Sequence, residues 1–215
     1  MEKSYKNISY LFILILGVIF LGFFKTYFGL FPNFKGIPTL LHIHSFVILL
    51  WIVMLIVQPF LIRYKKYEWH RMVGKASYFL VPLLVFVVIL VVRASQTKIM
   101  NLAIFAFAWS DMTFFVLTYT LAIFYRKKVS YHARFMIMTV LPFINPAIGR
   151  LPQSPLPGPA IGLLIIVSLL VYERFKAKIY KPYLFSLVGF LAIYLFFNLM
   201  ITNPLWEQFW GLFFK

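Results

Sequence analysis

Long apolar runs separated by short polar connections constrain this chain more than any other feature of its sequence. A transmembrane helix needs about 20 mostly apolar residues to cross about 30 Å of hydrocarbon. Seven runs meet this description: residues 8–30, 39–62, 73–94, 101–125, 133–150, 159–174 and 182–202. The sequence therefore predicts an all-α, polytopic transmembrane helical bundle with about seven spans, forming a single domain over residues 1–215.

The composition excludes a soluble globular protein. Hydrophobic residues make up 63% of the chain and charged residues 12%, whereas soluble domains are roughly half apolar and a quarter charged. The chain has no Cys, which excludes disulfides, thiolate metal sites and thiol catalysis. Any chemistry must therefore come from the few other polar residues.

Basic residues outnumber acidic ones, 21 to 5, and give a net charge of +16. They concentrate in RYKKYEWHRMVGK, RKKVSYHAR and ERFKAKIYK, which follow the second, fourth and sixth apolar runs. Because short basic connections stay in the cytoplasm, we predict a cytoplasmic N-terminus and an outer C-terminus. The charges also predict that the inner face contacts anionic lipid in the bilayer, and they do not require nucleic acid.

Prolines interrupt the fifth and sixth apolar runs. Pro142 and Pro146 lie within the fifth run, and LPQSPLPGPA precedes the sixth. Each proline lacks an amide donor and frees a carbonyl one turn earlier, so the backbone here either bends or opens towards a cavity. Asn145 is a candidate for satisfying a freed group, although an ordinary proline kink explains the same residues.

Two basic connections share a pattern. KKYEWHRM (65–72) and KKVSYHARFM (127–136) align with an offset of 62 residues, which pairs Trp69 with Tyr131 and His70 with His132. The pattern predicts two copies of one helical hairpin, residues 39–94 and 101–150, arranged as parallel repeats. His70 and His132 would then face each other near the inner surface. The alternative is that both loops simply reuse Lys, aromatic and His residues as interface anchors.

Polar residues inside the second apolar run lie on one face. His44, Trp51 and Gln58 are seven residues apart, so they form a stripe along a helix, and we expect it to face the bundle interior. His42 lies about 200° round the helix from His44 and is interpreted as an interfacial residue.

Asp111 is the only acidic residue inside a predicted span. A charge at mid-membrane costs about 2.5–3.5 kcal/mol, so such a carboxylate is normally paired, protonated or functional. Candidate partners are His44, Arg93 and Arg150. A structural ion pair and a functional site both fit this residue.

Three ordered segments carry a family resemblance: HSFVILLWIVMLIVQPFLI, HRMVGK and HARFMIMTVLPFINPAIGR. Together they resemble a family of bacterial multi-pass membrane proteins, and the resemblance covers residues 39–151. It implies a multi-pass protein of a bacterial inner membrane but no mechanism. The positions that match the family pattern are His44, Trp51, Gln58, His70, Arg71, Gly74, His132, Pro146 and Arg150.

A more distant similarity in architecture is to haem-binding bundles of the cytochrome b561 and ferric reductase kind. In those proteins histidines from different helices clamp haem, well inside the helices. Here His70 and His132 lie at the predicted helix starts.

Several functions remain open at this point. His70 and His132 could hold haem b or a metal ion for electron transfer, with a second metal site at His44 and Asp111. Asp111 could instead serve a transporter or channel for a small solute or protons. A third reading is a non-catalytic assembly factor or partner subunit in a homo- or hetero-oligomer. A fourth reading is a membrane enzyme that acts on lipid, although no Ser-His-Asp spacing, HExxH motif or Gly-rich phosphate loop is present. Whether the chain is an enzyme is undecided.

Overall fold

The computed structural model describes residues 7–96, 102–151, 157–177, 179–201, 203–205 and 208. These residues form helices and connections and contain no strand, which confirms the predicted all-α class. A 3-10 turn covers Phe28–Leu30 and a π-helical turn covers Glu173–Ala177. The α-helices are α1 (Ile8–Phe24), α2 (Thr39–Arg63), α3 (Tyr67–Gln96), α4 (Leu102–Phe124), α5 (Val129–Met138), α6 (Leu141–Ile148), α7 (Gly158–Tyr172) and α8 (Lys181–Ile201).

Among the described residues, five helices are long and apolar enough to cross a membrane: Thr39–Arg63, Tyr67–Ala94, Ala106–Phe124, Gly158–Lys176 and Lys181–Met200. They coincide with five of the predicted spans. The first predicted span is the shorter apolar helix α1, and the fifth is divided between α5 and α6. Asn101 and Thr202, at the ends of two predicted spans, lie outside the described residues. The count of seven spans stays a prediction.

The division between α5 and α6 follows from Pro142. This residue has no amide hydrogen to donate to the carbonyl of Met138, and α5 ends at Met138. Thr139 is fully buried, and its hydroxyl donates to the carbonyl of Met136 at 2.7 Å. Pro142 is then the second residue of α6, where the first turn of a helix tolerates proline.

The chain divides into two compact units, and the first comprises Met1–Val91 with Pro146–Pro155. In it α1 and α2 run antiparallel. Tyr10, near the start of α1, packs edge-on against Phe60, near the end of α2, with ring centroids 5.8 Å apart. At the other end of this helix pair, the Tyr27 hydroxyl is hydrogen-bonded to Nδ1 of His42 at 2.8 Å. The interfacial residue predicted at His42 therefore has a tyrosine partner.

The turn between α2 and α3 is a Schellman motif. The amide of Lys66 donates to the carbonyl of Leu61 at 2.8 Å, and that of Lys65 donates to Ile62 at 3.1 Å. The motif requires a left-handed residue at Lys65, whose φ is 59°. Glycine usually fills this position, so the chain adopts the turn here at a conformational cost.

The second unit comprises Val92–Asn145 and Leu156–Lys215 and contains α4, α5, α7, α8 and the first part of α6. Helices α4 and α8 pack through aromatic side chains, since Phe114 contacts Phe190 edge-on with ring centroids 5.3 Å apart. Arg134 of α5 bonds Glu173, at the end of α7. The start of α5 and the end of α7 therefore lie at the same end of this unit.

Candidate functional site

Asp111 lies at the centre of a polar cluster in the second unit. It is the tenth residue of α4, and its Oδ1 accepts two hydrogen bonds from other helices. The Tyr194 hydroxyl of α8 donates at 2.5 Å, and Nδ2 of Asn145 on α6 donates at 2.7 Å. Three helices therefore converge on one carboxylate oxygen.

Asn145 links the other two members of the cluster. Its Nδ2 also donates to the Tyr194 hydroxyl at 3.0 Å, so both amide hydrogens are used. Its Oδ1 is buried and has no hydrogen-bond partner among the described residues. The side chain therefore acts as a donor to Asp111 and Tyr194. The sequence had suggested that it would satisfy a carbonyl freed by proline, but its amide hydrogens are directed to Asp111 and Tyr194.

Two glycines allow Asn145 to approach α7 closely. A Cβ atom at Gly158 would overlap the carbonyl oxygen of Asn145, and one at Gly162 would lie 2.9 Å from Oδ1 of the same residue. No larger residue fits at Gly158 without moving the backbone of α6. The spacing of the two glycines, one turn apart, is the small-residue pattern of close helix packing in membranes.

Tyr194 is held in place by stacking. Its ring lies 4.2 Å from that of Phe190, at an interplanar angle of 27°. Phe190 in turn contacts Phe114 of α4. Packing therefore fixes the direction of the hydroxyl, and α4 and α8 hold both ends of its hydrogen bond to Asp111.

Within the described residues of the second unit, Asp111 has neutral hydrogen-bond partners only. Arg93, the predicted partner that belongs to this unit, is exposed. Arg134 is fully buried but pairs with Glu173. Among the described residues of this unit, no cation is therefore bonded to the carboxylate.

Arg134 and Glu173 form a separate buried ion pair, and both side chains are 0% exposed. Nε of Arg134 donates to Oε1 of Glu173 at 2.9 Å, and its second terminal nitrogen lies 2.8 Å from the same oxygen. The remaining terminal nitrogen donates to the carbonyl of Ser130 at 2.9 Å. The pair fastens α5 to the π-helical turn at the end of α7.

The polar stripe predicted on α2 lies in the first unit. Trp51 is fully buried, Gln58 is buried and His44 is half-buried, in agreement with an inward-facing stripe. Nε2 of Gln58 donates to the backbone carbonyl of His70 at 3.3 Å, which ties α2 to the start of α3. Nδ1 of His44 and Oε1 of Gln58 have no hydrogen-bond partner among the described residues.

His70 and His132 occupy equivalent local positions. Each is the fourth residue of its helix, and its amide donates to a lysine carbonyl, Lys66 or Lys128, at 3.0 Å. The helices then differ, because α3 continues to Gln96 whereas α5 ends at Met138. The two histidines belong to different units, so a facing pair and the repeated hairpins stay predictions.

The His132 side chain has a defined tautomer. Its Nδ1 lies 2.9 Å from the carbonyl of Ala122, and a carbonyl can only accept, so Nδ1 carries the proton. Nε2 is then the acceptor nitrogen of the neutral ring. No group of three or more His, Cys, Asp or Glu side chains with metal-site geometry occurs in the described part of the chain.

Arg150 lies in the first unit, where it is exposed. Its guanidinium stacks over the Phe23 ring, 4.5 Å from the centroid, and donates to the carbonyl of Pro146 at 2.8 Å. Because Asp111 belongs to the second unit, its ion pairs with His44 and Arg150 stay predictions.

Sequence reasoning missed three residues of these buried networks. Tyr194 stands in the apolar run FLAIYLFFN and has no acidic or basic neighbour to mark it. Glu173 did carry a signal, because it is one of only 5 acidic residues and ends an apolar run. Comparison of this chain with known protein families, curated proteins and solved structures finds no match.

Proposed function

We propose that this chain is an integral membrane protein that moves protons, or a small solute coupled to protons, through the centre at Asp111. The observation that carries this proposal is a carboxylate on a membrane-length helix whose hydrogen-bond partners, among the described residues of its own unit, are neutral. A bare charge at mid-membrane costs about 2.5–3.5 kcal/mol. A proton that binds and leaves would compensate this charge without a fixed cation.

The hydrogen bonds around Asp111 suit reversible protonation. Tyr194 and Asn145 both donate to Oδ1, and these bonds stabilise the ionised carboxylate after a proton leaves. Because Oδ1 already accepts two hydrogen bonds, an incoming proton binds at Oδ2. Asn145 reaches the centre on the short helix α6, and interrupted helices of this kind carry the coupling-ion sites of many transporters.

The membrane placement that we propose has seven crossings, with the N-terminus in the cytoplasm of a bacterium and the C-terminus outside. In this arrangement α1 makes the first crossing and α5 with α6 make the fifth. The bond between Arg134 and Glu173 supports it, because it brings two basic connections to one end of the second unit. Basic connections on one side are the usual mark of the cytoplasmic face.

Proton flux through proteoliposomes tests the proposed function. A potassium diffusion potential set with valinomycin drives protons inward, and pyranine trapped in the lumen reports the pH. We expect wild-type protein to acidify the lumen and Asp111→Asn to stop it. Glu68→Gln is the matched control, because it removes an exposed carboxylate at the start of α3. Equal flux in wild type and a folded Asp111→Asn variant would refute the proposal.

Haem ligation is the second candidate, and the His132 tautomer favours it. The bond from Nδ1 to the Ala122 carbonyl leaves Nε2 as the nitrogen that could bind iron, as in other ligating histidines. His132 and His70 would hold a haem b whose iron exchanges single electrons. A Soret band that shifts on reduction and disappears in His132→Ala is the expected result. The absence of such a band in purified protein would refute haem ligation.

A further inference from the structure

A shallow apolar groove lies where α7 ends and α8 begins, within the second unit. Its volume is about 280 Å³. The residues that line it are Leu170, Val171, Arg174, Phe175, Tyr180 and Leu184. We propose that this groove binds one anionic phospholipid, with an acyl chain along its apolar wall and the phosphate at Arg174.

The position of the groove fits the boundary between head groups and acyl chains. Its walls are the last residues of the candidate span Gly158–Lys176 and the first residues of Lys181–Met200. The ends of membrane-length helices lie at the head-group level. A groove there can therefore contact both parts of one lipid molecule.

Arg174 supplies the positive charge at the groove. Its guanidinium lies over the Tyr180 ring, 5.3 Å from the centroid. A guanidinium stacked by its face keeps its N–H edge for other partners, and this edge matches two oxygens of a phosphate. Within the described residues Arg174 makes no hydrogen bond or ion pair that would occupy that edge. Lys176 and Lys181 are exposed beside it.

The neighbouring acidic residue does not cancel this charge. Glu173 precedes Arg174 directly, yet its side chain is 0% exposed and bonded to Arg134. Both residues belong to the π-helical turn Glu173–Ala177, in which Glu173 is buried whereas Arg174 and Phe175 are exposed. Such turns are frequent at functional sites. The groove therefore presents unbalanced positive charge to an anionic ligand.

The apolar wall argues for a lipid over a soluble anion. Phe175 is 76% exposed, and Val171 and Leu184 are also exposed. A free phosphate would bind Arg174 without using this wall, whereas an acyl chain covers it. Burial of apolar surface adds about 25 cal/mol per Å² to binding, so the chain and the head group of one lipid contribute together.

Lipid retention measured by native mass spectrometry tests the site. Wild-type protein is released from nanodiscs of phosphatidylcholine with phosphatidylglycerol as the minor component. We expect one phosphatidylglycerol to be retained, and Arg174→Gln to lower its apparent affinity about tenfold, as loss of a charge-assisted hydrogen bond implies. Arg71→Gln, an exposed arginine of α3, is the matched control and should retain the lipid as wild type does.

A second variant tests the apolar half of the site. Leu184→Trp fills the groove and leaves Arg174 in place, so it should also weaken retention of phosphatidylglycerol. Thermal unfolding of wild type and variants in one detergent confirms that each variant is folded. Equal retention of phosphatidylcholine and phosphatidylglycerol, or equal loss in Arg71→Gln and Arg174→Gln, would overturn the proposal. Displacement of the lipid by glycerol phosphate at equal concentration would overturn it too, since the acyl chain would then contribute nothing.

Discussion

Tyr194 closes the hydrogen-bonded cluster around Asp111, and its hydroxyl is the group most easily removed without changing shape. Tyr194→Phe keeps the stacking on Phe190 but deletes the donor to Asp111 and the acceptor of Asn145. We expect the free energy of unfolding to fall by about 0.5–2 kcal/mol, the range for hydrogen bonds between membrane helices. Unfolding by SDS in mixed micelles measures this change.

Tyr172→Phe is the control for that experiment. Tyr172 is 45% exposed on α7, and its hydroxyl makes no hydrogen bond within the described residues. Its removal should leave the free energy of unfolding unchanged. If both variants unfold at the same SDS fraction as wild type, the Tyr194 hydroxyl does not contribute to the fold.

The turn between α2 and α3 has a lysine where its backbone favours glycine. Lys65→Gly removes the cost of a left-handed residue with a Cβ. Glycine also loses more conformational entropy on folding, and this offsets part of the gain in stability. We expect a net gain of about 0.5–1 kcal/mol in the free energy of unfolding. Lys66→Gly removes the same charge one residue later, where φ is not positive, and should give no gain.

The contact between α6 and α7 depends on Gly158. Gly158→Ala places a methyl group against the carbonyl oxygen of Asn145, so α6 must move away and carry Asn145 from Asp111. Overpacking of this kind costs about 1–3 kcal/mol. SDS unfolding should therefore show a destabilised protein, and the Asp111-dependent proton flux should fall with it.

Gly17→Ala, on the apolar helix α1, is the control and should not destabilise the protein. A Cβ at Gly17 meets nothing within 4 Å, so the substitution only improves helix propensity, by up to about 1 kcal/mol. Destabilisation of the Gly17 and Gly158 variants to the same extent would show that close packing at Gly158 is not the cause.

The orientation of the whole chain can be read by cysteine labelling, because the protein has no cysteine of its own. In intact cells, an impermeant maleimide should label Asn33→Cys in the exposed connection between α1 and α2. Lys127→Cys, in the exposed basic connection after α4, should be labelled only after the membrane is opened. The reverse pattern would invert the proposed topology.

Several elements could be predicted from the sequence because their causes are local. The proline at position 142 explains why the fifth apolar run divides, and the seven-residue spacing of Trp51 and Gln58 explains their shared burial. Asp111 and Asn145 were both singled out as polar candidates inside apolar runs. Their bond to each other was not foreseen, because the two residues are 34 positions apart and no local pattern indicates which helices face each other.

Composition and hydrophobic run length were enough to establish an all-helical chain with membrane-length apolar helices, since a backbone in hydrocarbon must satisfy its own hydrogen bonds. They also identified Asp111 as the unusual residue, because burying a charge is costly wherever it occurs. Only the packing of α4, α6 and α8 supplied its partners. Tyr194 is 83 residues from Asp111, and its hydroxyl became part of the centre because the two helices pack through Phe114 and Phe190.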